Sequence, residues 1–104
     1  MTAALRYNAG KAELSYLLDL PKALTELCRV FEYGAAKYSR GNYKLGGKPD
    51  EEYLDAALRH VFAARTAARD PESGCLHLAH AIWNLAALIE LNVPDPHVHR
   101  PAAV

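Results

Sequence analysis

The chain has little that points to nucleic acid or to a membrane. Its 12 Lys and Arg are balanced by 12 Asp and Glu, so it lacks the net positive charge that nucleic-acid-binding domains set against phosphate backbones. No apolar run reaches the roughly 20 residues that cross a bilayer. Residues 1–5 also lack the basic and apolar segments of a signal peptide. We therefore expect a cytoplasmic protein with no nucleic-acid or membrane partner, in which any anion is bound locally.

Cysteine is also scarce. The two cysteines, Cys28 and Cys75, do not form a CxxC pair, and each lies among apolar residues with helical spacing. In a chain without a secretory signal, we expect reduced and buried thiols in preference to a disulfide or a metal site.

Few residues favour β-structure. The β-branched residues Val, Ile and Thr number only ten, against 19 Ala and 15 Leu, and this balance favours helix over sheet. A chain of 104 residues has room for one hydrophobic core. We predict a single all-α domain over residues 1–104, with residues 94–104 as a loose tail.

Apolar periodicity and helix-breaking residues predict three long helices. The first follows Asp19 as a capping residue and has Pro21 in its first turn, after a short helical turn between Glu13 and Leu18. The second is capped by Asp50. The predicted ranges are 21–39, 50–69 and 75–91, separated by a basic glycine loop over 40–49 and by a break over 70–74.

The third predicted helix is apolar on nearly every side, which places it at the centre of a bundle or at a subunit interface. Three helices of this kind do not cover all of their apolar surface within one chain. We therefore expect a small helical bundle of three long helices that is completed by formation of a homo-oligomer.

Three polar residues interrupt the third helix on one face: His77, His80 and Asn84, at i, i+3 and i+7. Polar groups in a buried stripe need partners. Two interpretations remain open, a hydrogen-bond network between helices and a functional site.

Acidic residues cluster at the start of the second helix. Glu51, Glu52 and Asp55 lie within one and a half turns, and Arg59 follows one turn later. Clustered carboxylates can hold a divalent cation. The ordinary alternative is that acids favour a helix N-terminus and that an Asp–Arg pair at i, i+4 decorates a surface.

Aromatic and cationic residues alternate over the end of the first helix and the following loop. Aromatic rings can stack on a base and cations can meet phosphates, although the same residues could form a helix end with extended lysines. The residues in question are Tyr33, Lys37, Tyr38, Arg40, Asn42, Tyr43, Lys44 and Lys48, and a shorter version of the pattern runs from Arg6 to Lys11.

Four motifs follow one another in order between Leu5 and Val93. They are Arg6-Tyr7-Asn8-x-Gly10-Lys11; Phe31-x-Tyr33-Gly34-Ala35-x-Lys37-Tyr38 with Asn42-Tyr43; Ala57-Leu58-Arg59-His60; and Asp70-x-Glu72-Ser73-Gly74-x-x-His77-Leu78-Ala79-His80-Ala81-x-x-Asn84. Together they resemble a phage-associated family, the dATP/dGTP diphosphohydrolases of the N-terminal type. The resemblance implies hydrolysis of a purine deoxynucleoside triphosphate to the monophosphate and pyrophosphate, in a bacterial or phage-infected cell.

A more distant similarity is to the all-α MazG-like nucleotide pyrophosphohydrolases, whose metal site combines an EExxE motif with an ExxD motif on the next helix. Glu51, Glu52 and Asp55 stand for the first motif, whereas His77 and His80 replace the acids of the second. Imidazole suits Mn²⁺ better than Mg²⁺. Either the metal differs, or the ligands have moved, or there is no metal.

These resemblances imply a set of roles. The metal, Mg²⁺ or Mn²⁺, would be held by Glu51, Glu52, Asp55 and His80, and catalysis would depend on His77, His80 and Arg59. The residues implied for nucleotide binding are Arg6, Asn8, Lys11, Tyr33, Lys37, Tyr38, Asn42, Tyr43 and Asn84. Two competing hypotheses remain, a non-catalytic nucleotide or nucleotide-signal binder and a structural module whose His/Asn stripe only packs helices.

Overall fold

A computed structural model describes residues 10–94 of the chain. It contains three α-helices, α1 (Pro21–Lys37), α2 (Asp50–Ala63) and α3 (His77–Asn92), with short 3₁₀ turns at Leu14–Asp19 and Asn42–Leu45. There is no strand among residues 10–94. The predicted all-α class is therefore confirmed, while the predicted tail over 94–104 lies almost wholly outside the described residues.

The start of α1 differs in detail from the prediction. Asp19 does not cap the helix: it ends the preceding 3₁₀ turn, and Leu20 occupies the N-cap position without a side-chain hydrogen bond. Pro21 does take the first helical position, where its missing N–H has no intrahelical partner to lose. Similarly, Asp50 is the first residue of α2 and Pro49 its N-cap, so the predicted capping role of Asp50 is wrong.

The segment after α2 corrects the predicted range of that helix. The helix ends at Ala63 rather than at Arg69, and the chain passes through tight turns to an isolated β-bridge between Arg69 and Leu76. The His77 N–H donates to the carbonyl of Ala68, at 2.9 Å. The apolar periodicity extends past Ala63. Beyond that residue, however, the backbone bonds form turns and a bridge, which fold the segment back onto the start of α3.

Helix α3 packs against both other helices, most extensively against α2, whereas α1 and α2 make little contact with each other. Small side chains allow the close approach: Ala57 on α2 and Ala79, Ala81 and Ala87 on α3 are all buried. Val30 of α1 packs with Cys75 and Ala79. Because α3 carries the other two helices on neighbouring faces, a gap remains between α1 and α2 above it.

Large apolar side chains remain exposed on the outer faces of the helices. They are Leu54, Leu58, Val61 and Phe62 on α2, and Leu78, Ile82, Leu85 and Ile89 on α3, all at least 44% exposed. Within a single chain α3 is therefore not enclosed on every side, so of its two predicted places, the centre of a bundle or a subunit interface, the second remains a prediction. Cys75 is buried and reduced as predicted, but Cys28 is exposed, so the predicted burial is wrong for that thiol.

No helix within residues 10–94 has the length and apolar character that a membrane crossing requires.

Candidate functional site

An open cleft of about 730 Å³ lies between α1 and α2. Its floor is α3, which contributes His80, Trp83 and Asn84. One wall is the second half of α1 and the loop that follows it, and the other is formed by Tyr53 and Ala56 of α2. The volume is within the usual range for a site that binds a small molecule or cofactor.

Six of the nine residues predicted to bind a nucleotide line this cleft. They are Tyr33, Lys37, Tyr38, Asn42, Tyr43 and Asn84. Lys11 is exposed and does not line it, and Arg6 and Asn8 lie outside the described residues. Residues from α1, its loop and α3 therefore meet at one surface, as their shared motif pattern suggested.

The polar stripe of α3 is buried, and all three side chains have partners. His77, His80 and Asn84 are 7, 9 and 6% exposed. The Asn84 amide donates from Nδ2 to the carbonyl of His80, at 2.8 Å. The amide retains one N–H and a carbonyl oxygen with which it can bind a ligand in the cleft.

A second imidazole lies against the floor, from a residue to which the sequence assigned no role. The ring of His60, on α2, stacks on that of His80 with centroids 4.5 Å apart and planes 10° apart. Its Nδ1 lies 2.9 Å from Nδ1 of His77, so one of these nitrogens carries the shared proton. His60 follows Tyr53 and Ala57 at i, i+4, i+7, a spacing that could have placed it on the buried face of α2.

Burial favours the neutral form of the imidazoles of His60 and His80. Burial lowers the pKa of His60 below its usual 6.5, and the adjacent His80 and His77 lower it further. Burial likewise lowers the pKa of His80, although the carboxylate of Asp70 opposes the shift. A neutral imidazole keeps one nitrogen lone pair, which is the form that can accept a proton or bind a metal.

The turn before α3 fixes the Nε2 atom of the His80 ring. His80 Nε2 lies 2.7 Å from Ser73 Oγ and 3.6 Å from Asp70 Oδ2. The Ser73 hydroxyl is also 3.2 Å from Asp70 Oδ2 and accepts the N–H of Cys75. Because Ser73 has a single proton and the carboxylate needs a donor, the consistent arrangement is Nε2–H donating to Oγ, and Oγ–H donating to Asp70. The tautomer with a free lone pair on Nδ1 of His80 follows.

Asp70 is fixed by its own turn. Burial would raise the pKa of Asp70, but the N–H of Glu72, the Ser73 hydroxyl and the nearby His80 together lower it. The Gly74 N–H donates to the Asp70 carbonyl at 2.7 Å, and φ of +75° at Gly74, which a glycine adopts readily, turns the chain toward α3. The sequence marked residues 70–74 as a break between helices and as part of a family motif, but no spacing rule showed that they support His80.

Glu72 of the same turn secures the α1 wall. Its Oε1 accepts the Tyr33 hydroxyl at 2.9 Å and lies 3.4 Å from Lys37 Nζ. The Lys37 ammonium also lies 5.4 Å from the centre of the Tyr38 ring. The hydrogen bond from Tyr33, followed by that from Lys37, lowers the pKa of Glu72. These contacts hold a cation at the edge of the cleft.

The other predicted catalytic and metal residues do not line the cleft. Glu51, Glu52, Asp55 and Arg59 are exposed on α2, and His77 lies against His60. Glu52 and Arg59 are helical neighbours of Ala56, which does line it, so they border the α2 wall. Within residues 10–94, no three His, Cys, Asp or Glu side chains are grouped to hold a metal ion. The predicted ligands are thus not gathered into one cage within that part of the chain.

Acidification from pH 7 to pH 5 is expected to lower the melting temperature. As the pH falls through 6.5, the unfolded chain protonates His60 and His80, while the folded chain, in which both pKa values are lowered, resists. The stability present above pH 6.5 is therefore lost as the pH falls toward the folded pKa values. Calorimetry over this range measures the effect, and His60→Asn should flatten the slope. An unchanged slope in that variant would contradict the assignment.

Comparison with known proteins gives one match. The model of a family described as dATP/dGTP diphosphohydrolase, N-terminal, matches residues 1–100, which include all three helices and every residue of the cleft. No curated protein and no solved structure shows a significant match.

Proposed function

The chain belongs to the family described as dATP/dGTP diphosphohydrolase, N-terminal, and from this premise we propose that it hydrolyses dATP and dGTP to the monophosphate and pyrophosphate. The observation that carries the proposal is the cleft between α1 and α2. It brings six predicted nucleotide-binding residues together above a neutral, oriented imidazole. A cytoplasmic setting, in a bacterial or phage-infected cell, is the matching proposal for location.

Cations of the cleft would bind the phosphates. Lys37, Arg40 and Lys48 all line it, on α1 and on the loop that follows. Ammonium and guanidinium groups form charge-assisted hydrogen bonds with phosphate oxygens, and they stabilise the negative charge that develops during phosphoryl transfer. Lys37 is the most constrained of the three, because Glu72 holds its ammonium in place.

His80 would take the proton of the attacking water. Its Nε2–H is held by Ser73 and Asp70, which leaves Nδ1 as the proton acceptor. Lowering of its pKa by burial keeps the imidazole unprotonated at neutral pH. His77 touches this system through His60, so its proposed contribution is to support the stacked rings. Arg59, beside the α2 wall, would neutralise phosphate charge from that side.

A divalent metal, Mg²⁺ or Mn²⁺, belongs to the proposal. When bound, it would neutralise phosphate charge and activate water. Glu51, Glu52 and Asp55 supply the oxygen donors that such cations prefer, and Mg²⁺ commonly binds through one or two carboxylates together with substrate phosphates. That mode fits exposed carboxylates that are not gathered into a cage. His80, also predicted as a ligand, has Nε2 committed to Ser73, and its Nδ1 is the proposed proton acceptor, so we assign the metal to the carboxylates.

Product analysis tests the activity. The purified protein is incubated with each of the four deoxynucleoside triphosphates, with Mg²⁺, with Mn²⁺ or with EDTA, and the products are separated by ion exchange. We expect dAMP or dGMP with pyrophosphate, stopped by EDTA and slowed by Asp55→Asn. Glu13→Gln, an exposed acid outside the cleft, is the control. Absence of monophosphate under every metal condition would reject hydrolysis.

One observation favours a second candidate, a nucleotide-binding protein that sequesters its ligand. His77 and His80, which replace the acids of the related pyrophosphohydrolases, turn their nitrogens toward His60 and Ser73. A protein that only binds would retain affinity in EDTA and release the nucleotide unchanged. Calorimetric titration in EDTA, followed by recovery of the ligand, separates the two candidates.

We also propose that the protein is a homo-oligomer. The exposed apolar residues of α2 recur at i, i+4, i+7 and i+8, and those of α3 at i, i+4, i+7 and i+11, so each helix presents a continuous apolar face. Stable monomers rarely leave such faces in water, and a second copy of the same two helices would complete a four-helix bundle.

Introducing a charge into the apolar face tests the assembly. Ile82→Arg or Leu58→Arg is expected to convert the oligomer into monomers in light scattering coupled to size exclusion, because an arginine cannot be buried in that interface unpaired. Leu14→Arg, at an exposed leucine on the 3₁₀ turn, is the control. A wild-type chain that is already monomeric at micromolar concentration would refute the proposal.

A further inference from the structure

An aromatic cluster surrounds Trp83 on the floor of the cleft, and the proposed hydrolysis assigns no role to Trp83, Phe31 or Tyr53. Trp83, the only tryptophan of the chain, is partly buried and packs against the Val30–Cys75–Ala79 core. Tyr43 of the loop meets it edge-on, with centroids 5.5 Å apart and planes at 78°. Phe31 of α1 does the same at 6.1 Å and 72°, and Tyr53 of α2 is tilted by 39° at 6.2 Å. All four line the cleft.

In the described part of the chain, no aromatic ring lies parallel to Trp83. Among residues 10–94, every ring near it lies edge-on or tilted, although aromatic pairs favour offset stacking as much as edge contacts. A planar heteroaromatic ring entering from the cleft is the chemistry that supplies the stacked arrangement. Stacking on tryptophan and tyrosine is a common way for proteins to hold a nucleobase.

Polar groups suited to a nucleotide surround the cluster. Asn84 follows Trp83 on the floor, and its amide keeps an N–H and a carbonyl oxygen beyond its bond to His80. A donor and an acceptor side by side are what the edge of a purine pairs with. The Lys48 ammonium lies 4.4 Å from the centre of the Tyr53 ring, so a cation stands next to the aromatic surface where a phosphate attached to the base's sugar could reach it.

We propose that Trp83 and Tyr43 form a nucleobase subsite, in which a purine stacks on the indole and Asn84 hydrogen-bonds to its edge. The inference rests on the proposed function in one respect, that the ligand is a purine nucleotide. It assigns recognition of the base to Trp83, Tyr43 and Asn84. Lys37, Arg40 and His80 keep their proposed roles toward the phosphates and the attacking water. Base recognition and phosphate chemistry are thereby divided between the aromatic and the charged parts of one cleft.

The single tryptophan makes the subsite measurable without turnover. In EDTA, dGMP, dAMP and their free nucleosides are titrated while the fluorescence of Trp83 is recorded, and tripolyphosphate serves as the base-free probe. We expect saturable quenching by the nucleosides and monophosphates, and none by tripolyphosphate. Equal quenching by tripolyphosphate, or no saturable response to any nucleoside or monophosphate, would overturn the subsite.

Variants at Tyr43 test its aromatic contact with the base, with affinity for dGMP read by calorimetry. The Tyr43 ring is edge-on to Trp83, so it would meet a base stacked on the indole edge-on. Its loss in Tyr43→Ala should weaken binding by roughly 3- to 10-fold, whereas Tyr43→Phe retains the ring and should stay within about twofold of the wild type. Tyr16→Ala, an exposed tyrosine outside the cleft, controls for loss of a tyrosine. Thermal melting confirms that each variant is folded. Unchanged affinity in folded Tyr43→Ala would reject the role of this residue in the subsite.

The subsite and the proposed hydrolysis can fail separately. Saturable binding of nucleosides without pyrophosphate release would retain the subsite and reject hydrolysis. Hydrolysis of dATP and dGTP with no response of Trp83 to the base would retain the activity and reject the subsite.

Discussion

Replacement of His80 by Gln should lower kcat for dATP and dGTP hydrolysis by about 100- to 10,000-fold, the usual contribution of a positioned general base. The physical reason is that the two nitrogens of the His80 ring have different roles. A glutamine amide can still donate to Ser73 Oγ, as His80 Nε2–H does at 2.7 Å, but it has no basic nitrogen that could replace Nδ1. Steady-state kinetics with dGTP, monitored by pyrophosphate release, measures the loss.

Binding and fold serve as controls for this result. Affinity for dGMP should stay within about threefold in His80→Gln, because the proposed base and phosphate contacts are made by other residues. Ser73→Ala should lower kcat in the same direction but less, since it removes the group that fixes the tautomer. Thr66→Ala is its matched control, because that hydroxyl bonds only its own turn at the Ala63 carbonyl. A His80→Gln enzyme that is folded and fully active would exclude His80 as the base.

Replacement of Ala57 by Leu should be the most damaging change to the fold. Ala57 is 2% exposed on the face of α2 that packs on α3, and this contact depends on small side chains. Overpacking such a position costs about 1–3 kcal/mol, and each kcal/mol lowers the melting temperature of a domain of this size by roughly 4–8 °C. Since α2 carries Tyr53 and His60, the cleft should loosen with it.

Thermal melting at several protein concentrations measures this effect apart from any change in assembly. Ala23→Leu, at an exposed position on α1, is the matched control and should shift stability by less than about 0.5 kcal/mol. If Ala57→Leu melts with the wild type, the α2–α3 contact is not packed as closely as its buried alanines indicate.

Helical periodicity accounts for much of what could be predicted. The alternation of apolar and polar residues indicated α1, α2 and α3 and the burial of His77, His80 and Asn84, because these properties depend on residues three or four positions apart. The predicted end of α2 was wrong by six residues: the Ala63 carbonyl accepts the N–H groups of Thr66 and Ala67 in a tight turn, and the chain beyond it pairs Arg69 with Leu76. Local patterns carry no information about such partners.

The candidate site was also predictable only in part. Residues of α1 and its loop shared a recognisable pattern, and six of the residues predicted to bind a nucleotide line the cleft. The support of His80 was not predictable: Ser73 lies across a turn from it, and His60 lies on another helix. The carboxylates of α2 were predicted as one site with His80, but Glu51, Glu52 and Asp55 are exposed and none of them lines the cleft that contains His80.

The small number of β-branched residues, the balanced charge and the helical spacing by themselves determined an all-helical chain with one polar stripe and one aromatic, cationic segment. Tertiary structure alone decided that α1 and α2 stand apart above α3, and that this gap is the cleft. It also decided which nitrogen of His80 is free and which rings surround Trp83. The physical reason is range: secondary structure follows from neighbours along the chain, whereas hydrogen-bond direction and ring contacts depend on residues that only packing brings together.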